Sequence, residues 1–392
     1  MMTWKPVAIT YSVVEAAMMA ARLESAGIPA RSHQEAGGSA LGLTVGPFGE
    51  ITILVPETMV EQALAMLEGM AMTQEELFTS DYFRLHELAD GVYAAISRSE
   101  TGGAGSNAGF VDLGNSVLVF DALMLPRAAR DLLAAVDKLT GNPARILVNS
   151  HAHPDHIYGN GIFPAETLIV ATPTTRENIV AHSAEYLKED KKELPGFIAQ
   201  LQKELKEASD DATRRAVTTR ITLYSALLET IDEVAIRPPE MTFKGHVTFY
   251  GSERSVELVT YGRGHTDGDA FLYLPEERIL FSGDLLFAKT HPYLPGSIPE
   301  AWRTTLDKLL ALDIETIVPG HGDLAGLEDL RTERDYLEAL EKLVRQVIAQ
   351  GGTADDAARV AIPAEYAAWD GARRFPDSMR FLFERLSEGG QV

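Results

Sequence analysis

The chain has 392 residues, 45% of them hydrophobic, and carries 35 Lys and Arg against 57 Asp and Glu, a formal charge of -22. This length calls for two or three domains with sizeable cores, and the acidic balance repels phosphate backbones and anionic lipid surfaces, so neither nucleic acid nor a membrane is an expected partner. Cysteine is absent, which excludes disulfides, thiolate metal sites and a cysteine nucleophile and leaves His, Asp and Glu as the only strong metal ligands. No apolar leader follows Met1 to Pro6 and no run of about 18 apolar residues occurs, so a cytoplasmic protein is expected.

Residues 1 to 70 read as a small α+β module. Strands are expected at Val7–Thr10, Ile28–Ser32 and Ile51–Val55. Helices are expected at Val13–Ala26, with Val14, Ala17, Met18 and Ala21 on one face, and at Pro56–Gly69, with Val60, Ala63, Leu64 and Leu67 inward. A Gly-rich loop, Gly37 to Gly49, lacks the pattern of a phosphate cradle. The order βαββα fits a ferredoxin-like module. With Leu23 to Ala30 it resembles a small bacterial domain family known as signal transducing; a packing or homo-oligomerisation role is the simpler expectation.

Residues 71 to 80 read as a linker, and 81 to 325 as a larger domain. Strands are expected at 83–87, 92–96, 107–112, 116–121 and 145–149, with an amphipathic helix from Pro126 to Leu139. The stretch Asn149-Ser-His-Ala-His-Pro-Asp-His-Ile-Tyr-Gly-Asn-Gly161 then places His151, His153, Asp155 and His156 within six residues. In extended backbone His151 and His153 point the same way, because side chains alternate with period two. Pro154 suits the first position of a helix, which turns Asp155 and His156 in another direction. One segment can therefore feed two adjacent metal ions, and imidazole with carboxylate is the usual donor set of a catalytic zinc.

After a strand at 168–171, residues 174 to 234 read as a helical insertion of three segments, opened by the capping-box spacing of Thr174 and Glu177. It reads equally as a lid over a cleft or as scaffold. Strands resume at 241–243, 246–249, 255–261, 270–274, 279–281 and 314–318, with a helix at 300–311. Three more metal-capable residues, His265, Asp284 and His321, each stand just past an apolar strand, where a rigid sheet places functional groups. Residues 326 to 392 read as C-terminal helices, 327–350 and 377–386, packed on the larger domain.

The four motifs His-x-His-x-Asp-His, Gly-His-Thr, Ser-Gly-Asp and Pro-Gly-His-Gly closely resemble the metallo-β-lactamase superfamily over about residues 82 to 323. The resemblance implies a four-layer αβ/βα sandwich with the helical insertion added. It implies a first zinc site of His151, His153 and His265, a second of Asp155, His156 and His321, and Asp284 bridging the two. Two zinc ions roughly 3.5 to 4 Å apart would share a hydroxide that attacks a small ester, thioester or lactone, with Asp155 orienting it and shuttling its proton. Iron or manganese also suit these ligand types.

Two departures separate the chain from dedicated β-lactamases: the best-known subclass has Cys at the position of Asp284 and a drug-binding Lys at that of Phe287. The bridging Asp is similar to glyoxalase II, lactonase and related branches, and Pro143 to Asn160 is similar to hydrolases of the quinoprotein-relay type. The rival readings are a promiscuous β-lactamase, a mononuclear iron dioxygenase of the same fold, and a signalling or binding protein with a vestigial site. Substrate contacts are expected first from His291, then from Tyr158 and Tyr293, with Arg263 and Lys289 also beside the motifs. Beyond a small-molecule substrate, self-association into a homo-oligomer is left open as a partnership.

Overall fold

A computed structural model describes residues 4–10, 13–34, 51–68, 78–98 and 101–387. The chain divides into two compact units, Met1–Leu77 and Phe78–Val392. The expected Gly37–Gly49 loop and most of the 71–80 linker lie outside the described residues.

In the first unit, strands β1 (Trp4–Thr10), β2 (Arg31–Gln34) and β3 (Ile51–Pro56) form one antiparallel sheet in the order β1-β3-β2. Helices α1 (Val13–Ser25) and α2 (Val60–Glu68) complete the βαββα order. β2 begins three residues later than expected, because Ile28 is taken into the core with Leu23, Ile53, Val55 and Ala63 at the helix exit. Leu64, expected inward, is 38% exposed.

The second unit holds two sheets. β4 (Phe83–Ala89), β5 (Val92–Ser97), β6 (Ala108–Asp112), β7 (Val117–Phe120), β8 (Ala144–Val148), β9 (Leu168–Ala171) and β10 (Met241–Thr242) form seven neighbouring strands in chain order, read from one edge to the other. β11 (His246–Tyr250), β12 (Ser255–Gly262), β13 (Asp269–Leu274), β14 (Ile279–Phe287) and β15 (Thr316–His321) form five. The sheets face each other through Val92, Val111, Phe120 and Val148 on one side and Val256, Leu272, Phe281 and Val318 on the other. Strands buried on both faces read as continuous apolar runs, which is why β13 and β14 are buried along their whole length.

Helices cover the outer faces. α3 (Pro126–Thr140) buries Ala128, Leu132 and Val136 against the larger sheet. The four-residue helix α4 (Pro154–Ile157) follows β8. α5 (Pro173–Glu207) and α6 (Asp211–Thr230) make up the insertion, joining the same core through Ile179, Leu194 and Leu227. α7 (Pro299–Leu309), α8 (Leu327–Ala349), α9 (Ala354–Ala358) and α10 (Phe375–Ser387) complete the other face, with Trp302, Leu337, Leu340 and Met379 fully buried or nearly so. The result is the αβ/βα sandwich.

The insertion departs from expectation in two places. Its first two segments are one 35-residue helix that runs through Pro195. Proline removes one hydrogen bond and crowds the preceding turn, but Leu194, Ile198 and Leu201 are all buried around it, and that burial keeps the helix continuous. Its cap is Thr172, whose hydroxyl accepts from the Thr175 backbone N–H at 3.1 Å, with Pro173 at the first helical position. The Thr174–Glu177 spacing plays no capping part.

β14 also differs. It was expected to end at Phe281, yet it continues to Phe287 and carries Asp284 in its interior. Gly283 sits at φ +52°, and the pairing with β15 slips on both sides of it. That kink lets an interior strand residue face the site. Among the described residues no helix is long and apolar enough to cross a membrane.

Candidate metal centre

The candidate ligands come from four places at one end of the paired sheets. His151 and His153 lie in the loop after β8, and Asp155 and His156 in α4. His265 lies between β12 and β13, Asp284 within β14, and His321 ends β15. They fall into two sets: His151, His153, His265 and Asp284, then Asp155, His156 and His321, the donor atoms of each set lying within 4.8 Å of one another.

In the first set, His153 Nδ1 is 3.0 Å from His151 Nε2 and 3.0 Å from His265 Nε2. Asp284 Oδ2 lies 3.3 Å from His265 Nε2 and 3.7 Å from His151 Nε2. Four donors around a tetrahedral zinc at about 2.0–2.1 Å would stand about 3.3–3.4 Å apart, so the spacing fits. In the second set, Asp155 Oδ2 is 3.3 Å from His321 Nε2 and 3.7 Å from His156 Nε2. Asp284 joins the sets: its Oδ2 is also 3.3 Å from His321 Nε2, and its Oδ1 is 3.1 Å from His156 Nε2. Those last two atoms are buried and have no hydrogen-bond partner. Two buried polar atoms left so are costly unless a further group satisfies them, and the ligand set fits a divalent cation of the zinc type.

The electrostatics agree. Burial pushes His151 well down and His265 down to about 3, leaving neutral imidazoles with a lone pair to offer. Burial works against charge on Asp284 and Asp155 too, but the imidazoles of His321 and His156 hold both carboxyls below their usual range. Without another cation, protons on those two imidazoles balance the carboxylates; a metal ion would take over that part.

Asp121, which the sequence reading passed over, orients the donors. Its Oδ1 accepts from the Ser150 backbone N–H at 2.8 Å, and its Oδ2 accepts from the Ser150 hydroxyl at 2.8 Å. The same Oδ2 contacts His156 Nδ1 at 2.8 Å. With its hydroxyl proton given to Asp121, Ser150 Oγ can only accept from His151 Nδ1, 2.9 Å away. Both His151 and His156 therefore carry their proton on Nδ1 and turn Nε2 to the centre, the usual task of partners behind ligating imidazoles. Asp121 sits at φ +64°, a left-handed conformation that Asp and Asn tolerate best. Asp121→Asn keeps that backbone and removes the charge. It is expected to weaken zinc affinity about 10–100-fold in a chelator competition titration; unchanged affinity would remove Asp121 from this role.

Two more residues lock the loops. The Ser106 hydroxyl donates to the Asp155 carbonyl at 2.6 Å. The Asn107 side-chain amide donates to the carbonyls of Pro319 and Gly322, each at 2.9 Å, fixing the turn that holds His321.

A cleft of about 300 Å³ opens over the two sets. Tyr293 lines it, and so does Tyr224 of the insertion. His291 does not. It is fully buried, with Nδ1 2.7 Å from the Tyr336 hydroxyl and its ring packed near Trp369 and Phe375. Tyr158 is fully buried as well and donates its hydroxyl to Asp190 Oδ2 at 2.6 Å, tying the ligand segment to α5. Neither Arg263 nor Lys289 lines the cleft.

Comparison with known proteins bears on this geometry. Residues 101–321, more than half of the chain, match the model of the metallo-beta-lactamase superfamily. Residues 4–71 match a family described as "putative prokaryotic signal transducing protein". The chain is 26% identical over 262 residues to the linear primary-alkylsulfatase of Pseudomonas sp. (strain ATCC 19151), covering 62% of this chain and 47% of that one. It is 31% identical over 122 residues to the metallo-beta-lactamase type 2 of Bacteroides fragilis, covering 30% of this chain and 46% of that one. The chain spans about half the length of the curated relatives it matches. Among solved structures, the stereoselective inverting sec-alkylsulfatase Pisa1 from Pseudomonas sp. shares the fold with a TM-score of 0.53 at 18% identity, over 77% of this chain and 50% of that one.

Proposed function

Because the chain belongs to the metallo-beta-lactamase superfamily of metal-dependent hydrolases, we propose that it cleaves small esters, thioesters or lactones with two zinc ions held by the seven residues above. The observation that carries this reading is Asp284, one carboxylate within 3.1–3.7 Å of four imidazoles drawn from both sets. A side chain so placed would be shared by two adjacent ions if both were bound. Bound there, a pair of zinc ions supplies Lewis acidity and lowers the pKa of water toward neutrality.

The chain's own residues do the rest. Asp121 and Ser150 fix the imidazole tautomers through the 2.8–2.9 Å bonds that they make with His151 and His156. Asp155 lines the cleft with its side chain 25% exposed; in this reading it orients an attacking water and takes up its proton. Phe287 stacks on His321 with ring centroids 4.9 Å apart and 13° between planes, and shields that side of the centre from bulk water. The absence of cysteine suits a route that needs no protein nucleophile.

The test is metal content by plasma emission, followed by a hydrolysis screen of the zinc-loaded protein. The expected result is about two zinc per chain, with turnover of esters, thioesters, lactones or sulfate esters. About one iron per chain with oxygen uptake and no hydrolysis would overturn the proposal.

A further inference from the structure

The cleft has a wall that the metal centre does not account for. Arg373 and Arg374 both line it, together with the candidate ligands His153, Asp155, Asp284 and His321. They belong to a turn that begins at Gly371, outside the 101–321 span of the superfamily match. Three hydrogen bonds stitch this turn to the segment after β14: the His291 backbone N–H donates to the Asp370 carbonyl at 2.7 Å and Asp370 N–H to the Lys289 carbonyl at 3.0 Å, which together pair Thr290 with Asp370 as a parallel bridge, and Arg374 Nη1 donates to the His291 carbonyl at 3.2 Å. Gly371, at φ +75°, supplies the left-handed residue that turns the two arginines in.

Neither is held in an ion pair among the described residues, although the carboxylates of Asp155 and Asp284 favour the charge of Arg374 at longer range. In this chain of charge -22, most arginines near the surface meet carboxylates: Arg278 meets Asp313 and Glu315, and Arg380 meets Asp355 and Asp377. Among the described residues, neither Arg373 nor Arg374 lies within 4.0 Å of a carboxylate. The cleft's other wall carboxylate, Asp377, is already paired with Arg380 at 3.1 Å. Arg374 instead stands over the Phe287 ring, 5.9 Å from its centroid. A third arginine, Arg220, lies one turn before Tyr224 on α6 and is paired with Glu204 at 3.5 Å; burial and the charge of Arg373 both push its pKa down, as burial and Arg373 do for Arg374. Like charges gathered beside a cleft, in a protein with carboxylates to spare, favour an anion between them.

The geometry points to Arg373 and Arg374 as an oxyanion-binding subsite that selects substrates carrying a carboxylate or a sulfate-type group beside the bond to be cleaved. This rests on the proposed hydrolase only for where the scissile bond lies. The subsite itself is a property of the protein chain and can be read without turnover.

Calorimetric titration of the metal-depleted full-length protein tests it, using hexane-1-sulfonate and hexanoate, with 1-hexanol as the neutral control. Both anions are expected to bind more tightly than the alcohol, with affinity falling as salt rises. Arg373→Gln, at an exposed position, is expected to weaken anion binding about 10-fold. Arg374→Lys keeps the charge, loses the fork and is expected to bind the anions at least about 5-fold more weakly. A stronger grip on the sulfonate assigns a sulfate-type group, a stronger grip on hexanoate a carboxylate, and an equal grip a general oxyanion site. Equal binding of anions and alcohol, or of wild type and both variants, would overturn the inference. Because this reading is taken without metal, it stands or falls separately from zinc content and hydrolysis. On the loaded enzyme, the same variants are expected to raise KM for anionic esters while kcat changes little.

Discussion

Asp284→Ala is expected to stay folded, to lose about half of its bound zinc, and to drop in kcat/KM by at least about 100-fold. The carboxylate is the one group facing both ligand sets, with Oδ2 within 3.3–3.7 Å of His151, His265 and His321 and Oδ1 3.1 Å from His156. Removing it leaves each set with three donors, and takes away a negative charge that would offset two bound dications. The lost charge stabilisation is several kcal/mol, and each 1.4 kcal/mol or so is a factor of ten in rate. The strand itself does not depend on this side chain: its neighbours Leu285, Leu286 and Phe287 are buried in the apolar core. Metal content, kcat/KM and thermal melting together read the result. Unchanged kinetics with both ions retained would remove Asp284 from the centre.

Gly320→Ala reaches the same carboxylate by a steric route. A β-carbon at Gly320 would fall 1.9 Å from Asp284 Oδ1, and 2.8 and 2.9 Å from the backbone of Gly283 and Asp284. A side chain alone can rotate away, but the backbone contacts mean that β14 and β15 would have to part. Overpacking of this kind costs about 1–3 kcal/mol, so the melting temperature should fall as well as the zinc content and turnover. The pair of variants separates chemistry from architecture. Asp284→Ala should lower activity with little change in melting, and Gly320→Ala should lower both. Full activity in Gly320→Ala would mean that the close approach of the two strands is not needed.

The candidate ligands other than Asp284 were legible in the sequence because each sits just past a strand, at a strand end or in a proline-started helical turn, features that short apolar runs and Pro154 announce. Asp284 was legible as a residue type but not in place, since Gly283 bends a strand that the apolar pattern had seemed to end. What supports the ligands was not legible. Asn107 acts through Pro319 and Gly322, more than 200 residues away in sequence, and no local pattern encodes that contact. Asp121 looked like the last residue of a strand; its role appears only once β7 and β8 lie side by side. His291 misled for the opposite reason. It is close in sequence to Asp284, but the chain turns at Lys289, φ +51°, and carries it into the core beneath α8 and α10. Tyr224 and Arg374 belong to segments whose own sequences announce only helices and turns.

The stitched turn at Asp370–Arg374 has a consequence in time. Synthesis runs from the N-terminus, so all seven candidate ligands are made once His321 is added, whereas the arginine wall follows about 50 residues later. At about 5–20 residues per second, a nascent chain spends roughly three to ten seconds with its ligands complete and that side of the cleft unbuilt. Over that interval, and in any product clipped before Asp370, the chain carries all seven candidate ligands without the two arginines that line the cleft beside them.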